Sequence, residues 1–298
     1  MFVKSFDHLI ELAKKMESKT IVVVKPEDED LLEVISKAEI EGLANFILVG
    51  DKEKLISLIN ENNIQIDSEI VNEKDEKTAA DKAVDLIVDG KADALMKGML
   101  HSSIFLKAIL NKEKGLNIGK QITQISVLEK ENNKGFLFIT DCAITVNPDL
   151  MGKKEIIENA VNLANKLGNY EPKVAVLASV EVVNPSMQET IDAAVLSKMA
   201  DRGQIKGCLV DGPLAFDNAI SEEAAKAKGV GGDVAGKADI IVVPSLTVGN
   251  TLTKSITYIA KKTVVAATTG AAIPIIFTSR TESTEGKLLS IALAAYTA

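Results

Sequence analysis

Four short segments hold the residues whose types and spacing could do chemistry. Each follows an apolar run of strand character, and in parallel α/β sheets ligands bind beyond the carboxyl ends of strands. The run 92–96 leads into Lys97, Gly98, Met99, Leu100, His101, Ser102 and Ser103, with Lys107 one turn further. There the glycine permits a close turn, and the two serines are placed to cap a helix. The free N–H groups of such a helix start attract an anion, to which Lys97 and Lys107 add positive charge. The run 207–210 leads into Asp211, Gly212 and Pro213; Asp211 either caps a loop or faces a cleft. The run 239–243 leads into a loop from which Gly249 and Asn250 open a helix carrying Lys254, a second backbone anion site. The run 274–277 leads into Thr278, Ser279 and Arg280, with Glu282 and Glu285 close behind.

Arg280 stands out because arginine is so rare here. Of 34 basic residues only Arg202 and Arg280 are arginine. Where a lysine-biased chain keeps an arginine, a planar fork for carboxylate or phosphate is the natural reason. The bland alternative is an exposed ion pair to Glu282 or Glu285, worth at most ~1 kcal/mol. Arg202 sits in Asp201-Arg202-Gly203, just past a helical stretch, where a cation and a glycine suit a helix end; its role is structural.

These segments need a scaffold that brings strand ends together. Strand runs at Thr20–Val24, 45–49, 69–71 and 92–96 alternate with helical patterns at 28–40, 51–60, 77–88 and 103–110. That alternation predicts a parallel sheet with helices on both faces. Runs 124–128 and 135–139 flank a short polar turn and read as an antiparallel pair. A second βα series follows, from a helix over 153–167 to a last helix over 284–295. The fold class is α/β, with a break near 140–149. The expected domains are 1–139 plus 278–298, a discontinuous first α/β domain, and 140–277, a second one.

Composition removes several function classes. The formal charge of −8 and the absence of a basic face argue against nucleic acid. No apolar run approaches the ~20 residues that cross a bilayer, and residues 1–19 are charged throughout, unlike a signal peptide. The expected location is therefore the cytoplasm. Cys142 and Cys208 lack CxxC spacing and read as buried thiols. Two histidines make neither a triad nor a metal cluster, so no metal is expected and His101 reads as a loop residue.

Taken in order, the segments resemble the phosphate acetyltransferase and phosphate butyryltransferase family. DGPLAFDNAIS (211–221) is similar to the family's DGPLxFD block, AGKADIIVVPSLTVGNTLTK (235–254) to AGKADxxxxPxxxxGNxxYK, and PIIFTSR (274–280) to PxxxxSR. DCAITVNP (141–148) and KGMLHSS (97–103) also resemble family segments, so the likeness covers nearly the whole chain. ASVEVVNPSMQET (178–190) and the ending after Thr278 look closer to the butyryl branch than to the acetyl one.

The resemblance implies two α/β/α sandwich domains with a cleft, of the isocitrate/isopropylmalate dehydrogenase kind, and a homodimer or higher homo-oligomer. It implies the reaction acyl-CoA + phosphate = acyl phosphate + CoA, with coenzyme A and phosphate as substrates and no permanently bound cofactor. Arg280 is assigned to the phosphate or carbonyl oxygen and Ser279 to hydrogen bonding near the thioester. Asn250, Gly249 and the Ser102/Ser103 loop would shape the phosphate pocket. The family's acetyl members have an aspartate proposed as thiol base six residues beyond the arginine; here that position is Gly286. Glu285 is the candidate substitute, with Glu282 nearby; alternatively binding itself lowers the thiol pKa and no base is needed. Lys107 stands where arginine is frequent, which keeps charge and loses the bidentate fork. Thr253 stands where tyrosine is usual. Two rival readings remain: a metal-dependent NAD(P) dehydrogenase on the same fold, and a catalytically weak homologue that senses acyl-CoA or acyl phosphate.

Overall fold

The computed structural model describes the chain except residues 115, 132–133 and 279–281. The first stretch forms α1 (Phe6–Ala13), β1 (Thr20–Val24), α2 (Glu29–Ile40), β2 (Asn45–Gly50), α3 (Lys52–Glu61), β3 (Glu69–Asn72), α4 (Glu76–Val88), β4 (Ala94–Lys97) and α5 (Ser102–Ile109). Then come β5 (Thr123–Glu129), β6 (Phe136–Thr140), α6 (Leu150–Lys166), β7 (Lys173–Leu177), α7 (Gln188–Asp201) and β8 (Leu209–Leu214). The chain continues with α8 (Phe216–Ile220), α9 (Glu222–Ala227), β9 (Ile240–Val242), α10 (Leu246–Tyr258), β10 (Val265–Thr269), β11 (Ile275–Ile276) and α11 (Thr284–Thr297).

Two compact units result. Unit I is Phe6–Lys120 with Val265–Ala298; unit II is Met1–Ser5 with Gln121–Val264. In unit I the strand order is β3-β2-β1-β4-β11-β10. All of these pairs are parallel except β10 with β11, where Thr268 faces Ile275. Ile21, Val22, Val23 and Val24 are all fully buried, which is why β1 reads as one unbroken apolar run. Aspartates start α2, α3 and α4: Asp28 accepts from the Leu31 N–H, Asp51 from those of Glu53 and Lys54, and Asp75 from that of Thr78. α11 packs on α1, α2, β10 and β11, and nearly every residue from Gly286 to Ala295 is buried, so its sequence is apolar all round.

In unit II the order is β5-β6-β9-β7-β8. β5 and β6 are antiparallel, as their short polar turn implies, and the rest are parallel. A core of Leu128, Ile139, Ala175, Leu214, Ala219 and Ile241 joins strands to α8 and α9. α6 and α7 are tied by a buried ion pair, Lys153 Nζ to Asp192 Oδ2 at 2.6 Å, with both side chains under one-tenth exposed.

The units change at Lys120/Gln121 and Val264/Val265, whereas the sequence suggests boundaries at 139/140 and 277/278. Pairing explains where the division falls. β6 is locked to β9 through Phe138 and Ile240, and β11 to β4 through Ile276 and Met96. No helix among the described residues is long and apolar enough to cross a membrane.

Candidate active site

In unit I the carboxyl ends of β1, β4 and β11 lie side by side. The Gly98 N–H donates to Val24 O at 2.8 Å and the Met99 N–H to Lys25 O at 2.6 Å. A Cβ on Gly98 would lie 2.2 Å from Lys25 O, so only glycine fits. Lys25 is itself braced: its backbone is left-handed (φ 55°), and its ammonium meets Glu27 Oε1 at 2.5 Å and Lys74 O at 3.2 Å. Glu27 Oε1 also accepts the Asp51 N–H at 2.8 Å, which ties the turn after β1 to the turn after β2.

Lys97 ends β4 and is 9% exposed. Its Nζ donates to Gly98 O at 3.1 Å and stands 5.7 Å from the Phe277 ring centroid. Phe277 in turn packs against Phe105 of α5 at 5.9 Å. The buried ammonium thus sits on an aromatic face, an attractive arrangement for a desolvated cation. Phe277 stands two positions before Ser279; Ser279 and Arg280 lie outside the described residues.

Ser102 and Ser103 do not cap α5 but begin it. His101 occupies the N-cap position without a side-chain cap bond, because the helix starts a residue earlier than its pattern suggests. Both serines are exposed in the first turn, and Lys107 is exposed in the last, where the helix dipole favours it. Glu285 is exposed in the first turn of α11. Glu282 is half-buried and lies over Gly286: a Cβ there would be 3.2 Å from Glu282 Oε1. The fully buried Ser290 hydroxyl donates to that oxygen at 3.5 Å. The space a side chain at 286 would occupy is therefore filled by a carboxylate from four residues earlier, which sequence spacing alone could not show.

Unit II holds the other four candidates. α10 begins at Leu246, so Gly249 and Asn250 lie inside the helix rather than ahead of it. The Gly249 N–H is used by Ser245 O at 3.1 Å and is not a free anion donor. The glycine serves a close approach instead: a Cβ would lie 2.4 Å from Asp141 O. Asp141 is 2% exposed, and its carboxylate accepts the N–H groups of Ala143, Ile144 and Thr145. This braces the loop on which α10 rests, a role that an aspartate closing a strand could have signalled. Asn250 Nδ2 donates to Cys142 O at 3.3 Å, and Thr253 Oγ1 bonds Ser126 Oγ and Cys142 Sγ. Lys254 is exposed, with its Nζ 6.0 Å from the Tyr258 ring centroid.

Asp211 is not at a strand end. β8 runs through Gly212 and Pro213 to Leu214, and Asp211 pairs with Ala175 inside it. It lines a cavity of about 280 Å³ with Ser197, Asp201, Cys208 and Asp233. None of Gly249, Asn250 or Lys254 lines that cavity. Burial pushes both thiols up, Cys208 to about 11 with help from the Glu158 charge, and Cys142 by burial against its weaker hydroxyl contacts. Both are protonated at neutral pH and are poor nucleophiles.

A family model described as Phosphate acetyl/butaryl transferase matches residues 69–295. The chain belongs to this family. The matched span contains all four strand-end segments, from Lys97 to Glu285. Phosphate butyryltransferase of Clostridium acetobutylicum is 46% identical over 297 residues, covering 99% of both chains. The structure of a branched-chain phosphotransacylase from Enterococcus faecalis V583 superposes with a TM-score of 0.81 at 31% identity, covering 94% of this chain and 98% of that one. A 4-hydroxythreonine-4-phosphate dehydrogenase from Klebsiella pneumoniae shares the fold at a TM-score of 0.60 and 16% identity, covering 95% and 100% of the two chains. The family match and these likenesses establish a mixed α/β transferase fold.

Proposed function

We propose that the protein is a phosphate acyltransferase that moves a butyryl or similar short or branched acyl group between coenzyme A and inorganic phosphate. The observation that carries this reading is the 46% identity to a phosphate butyryltransferase across 99% of both chains. The branched-chain phosphotransacylase likeness favours a four- or five-carbon acyl group over acetyl.

The residues take roles that the chemistry requires. In the acyl-phosphate direction the CoA thiol loses its proton, the thiolate attacks the carbonyl carbon, and the carbon–oxygen bond to phosphate breaks. Negative charge grows on the carbonyl and phosphate oxygens, and fixed cations at those oxygens lower the barrier. Arg280 is assigned to that charge, with Ser279 bonding near the thioester. Lys97 supports this, being a buried ammonium beside Phe277. The exposed Ser102, Ser103 and Lys107 would add contacts to phosphate or CoA, and Asn250 and Lys254 would act from α10. Gly249 acts by letting α10 approach the 141–145 loop. Asp211 faces its own cavity and is assigned no catalytic step. Of the two carboxylates that could take the thiol proton, Glu282 fills the space at Gly286, which favours it over the exposed Glu285.

The finer picture is two α/β/α domains of isocitrate/isopropylmalate dehydrogenase type, in a cytoplasmic homodimer or larger homo-oligomer without a resident cofactor. The dehydrogenase fold likeness supports the first part. The test is phosphate-dependent CoA release from acetyl-, butyryl-, isobutyryl- and octanoyl-CoA, followed with a thiol reagent. Release should require phosphate and peak at four or five carbons; folded protein that binds acyl-CoA without turnover would shift the reading to the sensor. In the same assay Arg280→Ala should lower turnover at least about tenfold, ~1.4 kcal/mol of barrier. Unchanged turnover would remove Arg280 from the mechanism.

A further inference from the structure

The loop 178–187 leaves β7 and carries none of the residues assigned to phosphate or the thiol. It holds Val182 and Val183 side by side, both more than half exposed. β7 lies beside β9, and β9 beside β6, all three parallel, so their carboxyl ends fall at one end of the unit II sheet. Each of those ends leads to an exposed valine. Val146 follows β6 and is 64% exposed; Val248 follows β9, in the first turn of α10, and is 40% exposed. The strands themselves keep Val174, Val176, Ile240, Ile241 and Val242 covered.

These valines are not on slack chain. Glu181 Oε1, next to Val182, accepts from Asn218 Nδ2 at 2.6 Å and Lys228 Nζ at 2.7 Å. The Asn184 N–H, next to Val183, donates to Oγ1 of the wholly buried Thr190 at 2.9 Å. The two valines are thus held between two anchors. The Asp141 carboxylate braces the loop that carries Val146, and the Leu246 N–H donates to Val146 O at 3.0 Å, which fastens that loop to the start of α10. Isolated exposed apolar residues are ordinary; four on three adjacent, braced strand ends are a feature of binding surfaces.

The position and the size of the surface select its occupant. Ligands of parallel α/β sheets bind beyond the carboxyl ends of strands, and apolar side chains line the greater part of such sites. Four valines fall far short of the ~20–30 residues a side that a stable subunit interface buries. They match an apolar chain of a few carbons.

We infer that Val182 and Val183, with Val146 and Val248, form the surface that receives the acyl chain and selects its length. This rests on the acyltransferase reading and names the part of the site that chooses the acyl group. Burial of the two extra methylenes of a butyryl group against these side chains favours it over acetyl; one methylene in an apolar pocket discriminates by about 10–200-fold.

The double variant Val182→Thr with Val183→Thr keeps side-chain shape and adds a hydroxyl at two exposed positions. The ratio of kcat/KM for butyryl-CoA to that for acetyl-CoA should fall about tenfold. Val248→Thr tests the same surface from a second strand end and should lower the ratio as well. A ratio within twofold of wild type in both variants overturns the inference. So does an equal fall for both substrates, which assigns the valines to the CoA moiety or to the fold. Light scattering on the same samples identifies the other occupant: a double variant that dissociates while its ratio stays fixed overturns the inference by making the surface a subunit contact. A wild type that turns over acetyl-CoA as well as butyryl-CoA overturns it and leaves the acyltransferase reading standing. If the wild type releases no CoA from any substrate, the acyltransferase reading fails, and calorimetric binding decides the surface. Wild type should then bind butyryl-CoA about tenfold more tightly than acetyl-CoA and the double variant should bind both alike; equal affinities in the wild type overturn the inference.

Discussion

Asp192→Ala should destabilise unit II by about 3–5 kcal/mol, because it strands the Lys153 ammonium. The pair joins α6 to α7 at 2.6 Å, with side-chain exposures of 6% and 9%. Asp192 Oδ1 also accepts from Gln188 Nε2 at 2.8 Å, but Gln188 is exposed and turns to water, so the loss falls on the buried Lys153 ammonium. Denaturant unfolding of wild type and variant measures the effect as a shift in midpoint at constant m-value. The paired change Lys153→Met with Asp192→Leu should recover most of the loss, since a buried ion pair replaced by packed apolar groups is often neutral or stabilising. A single variant that loses under ~1 kcal/mol would mean that Lys153 finds another partner or water.

Gly98→Ala should lower kcat/KM by about a hundredfold with a smaller loss of stability. The added methyl meets backbone, not the yielding tip of a side chain: Lys25 O at 2.2 Å and Val24 O at 2.6 Å. Carbon–oxygen contacts normally stand near 3.3 Å, so the turn must move by about 1 Å. It cannot move freely, because Lys25 is held by Glu27, and Glu27 by the turn after β2. The displacement therefore falls on Lys97, His101, Ser102 and Ser103. Misplacing positioning groups by that distance is enough for about a hundredfold, and overpacking a tight contact costs about 1–3 kcal/mol of stability. Steady-state kinetics beside a thermal melt separates the two effects. A variant within twofold of wild type would show that the strand-end turn does not position the reaction.

Much of the architecture was legible because it is written in short-range patterns. β1 reads as TIVVV because both its faces are covered, and Asp28, Asp51 and Asp75 announce helices three residues or fewer before the N–H groups they satisfy. The β5–β6 pair follows from two apolar runs around a short polar turn. The α10 start was not legible, because a glycine inside a helix looks like a break until its neighbour is known. That neighbour is Asp141 O, more than one hundred residues away in sequence. The same holds for Asp211, whose strand continues because β7 offers partners to Asp211 and Leu214.

The candidate site divides along the same line. Residue type and order alone determined the family, the strand-end segments and the rarity of Arg280, since these are properties of the chain as a string. Tertiary structure alone decided that Gly98 is pressed against Lys25, that the Glu282 carboxylate lies over Gly286, and that the buried Lys153 ammonium has Asp192 as its partner. The physical reason is that sequence periodicity reports which face of an element is apolar. Whether a buried charge is compensated depends on which element packs against it, and that is settled only when the chain closes on itself.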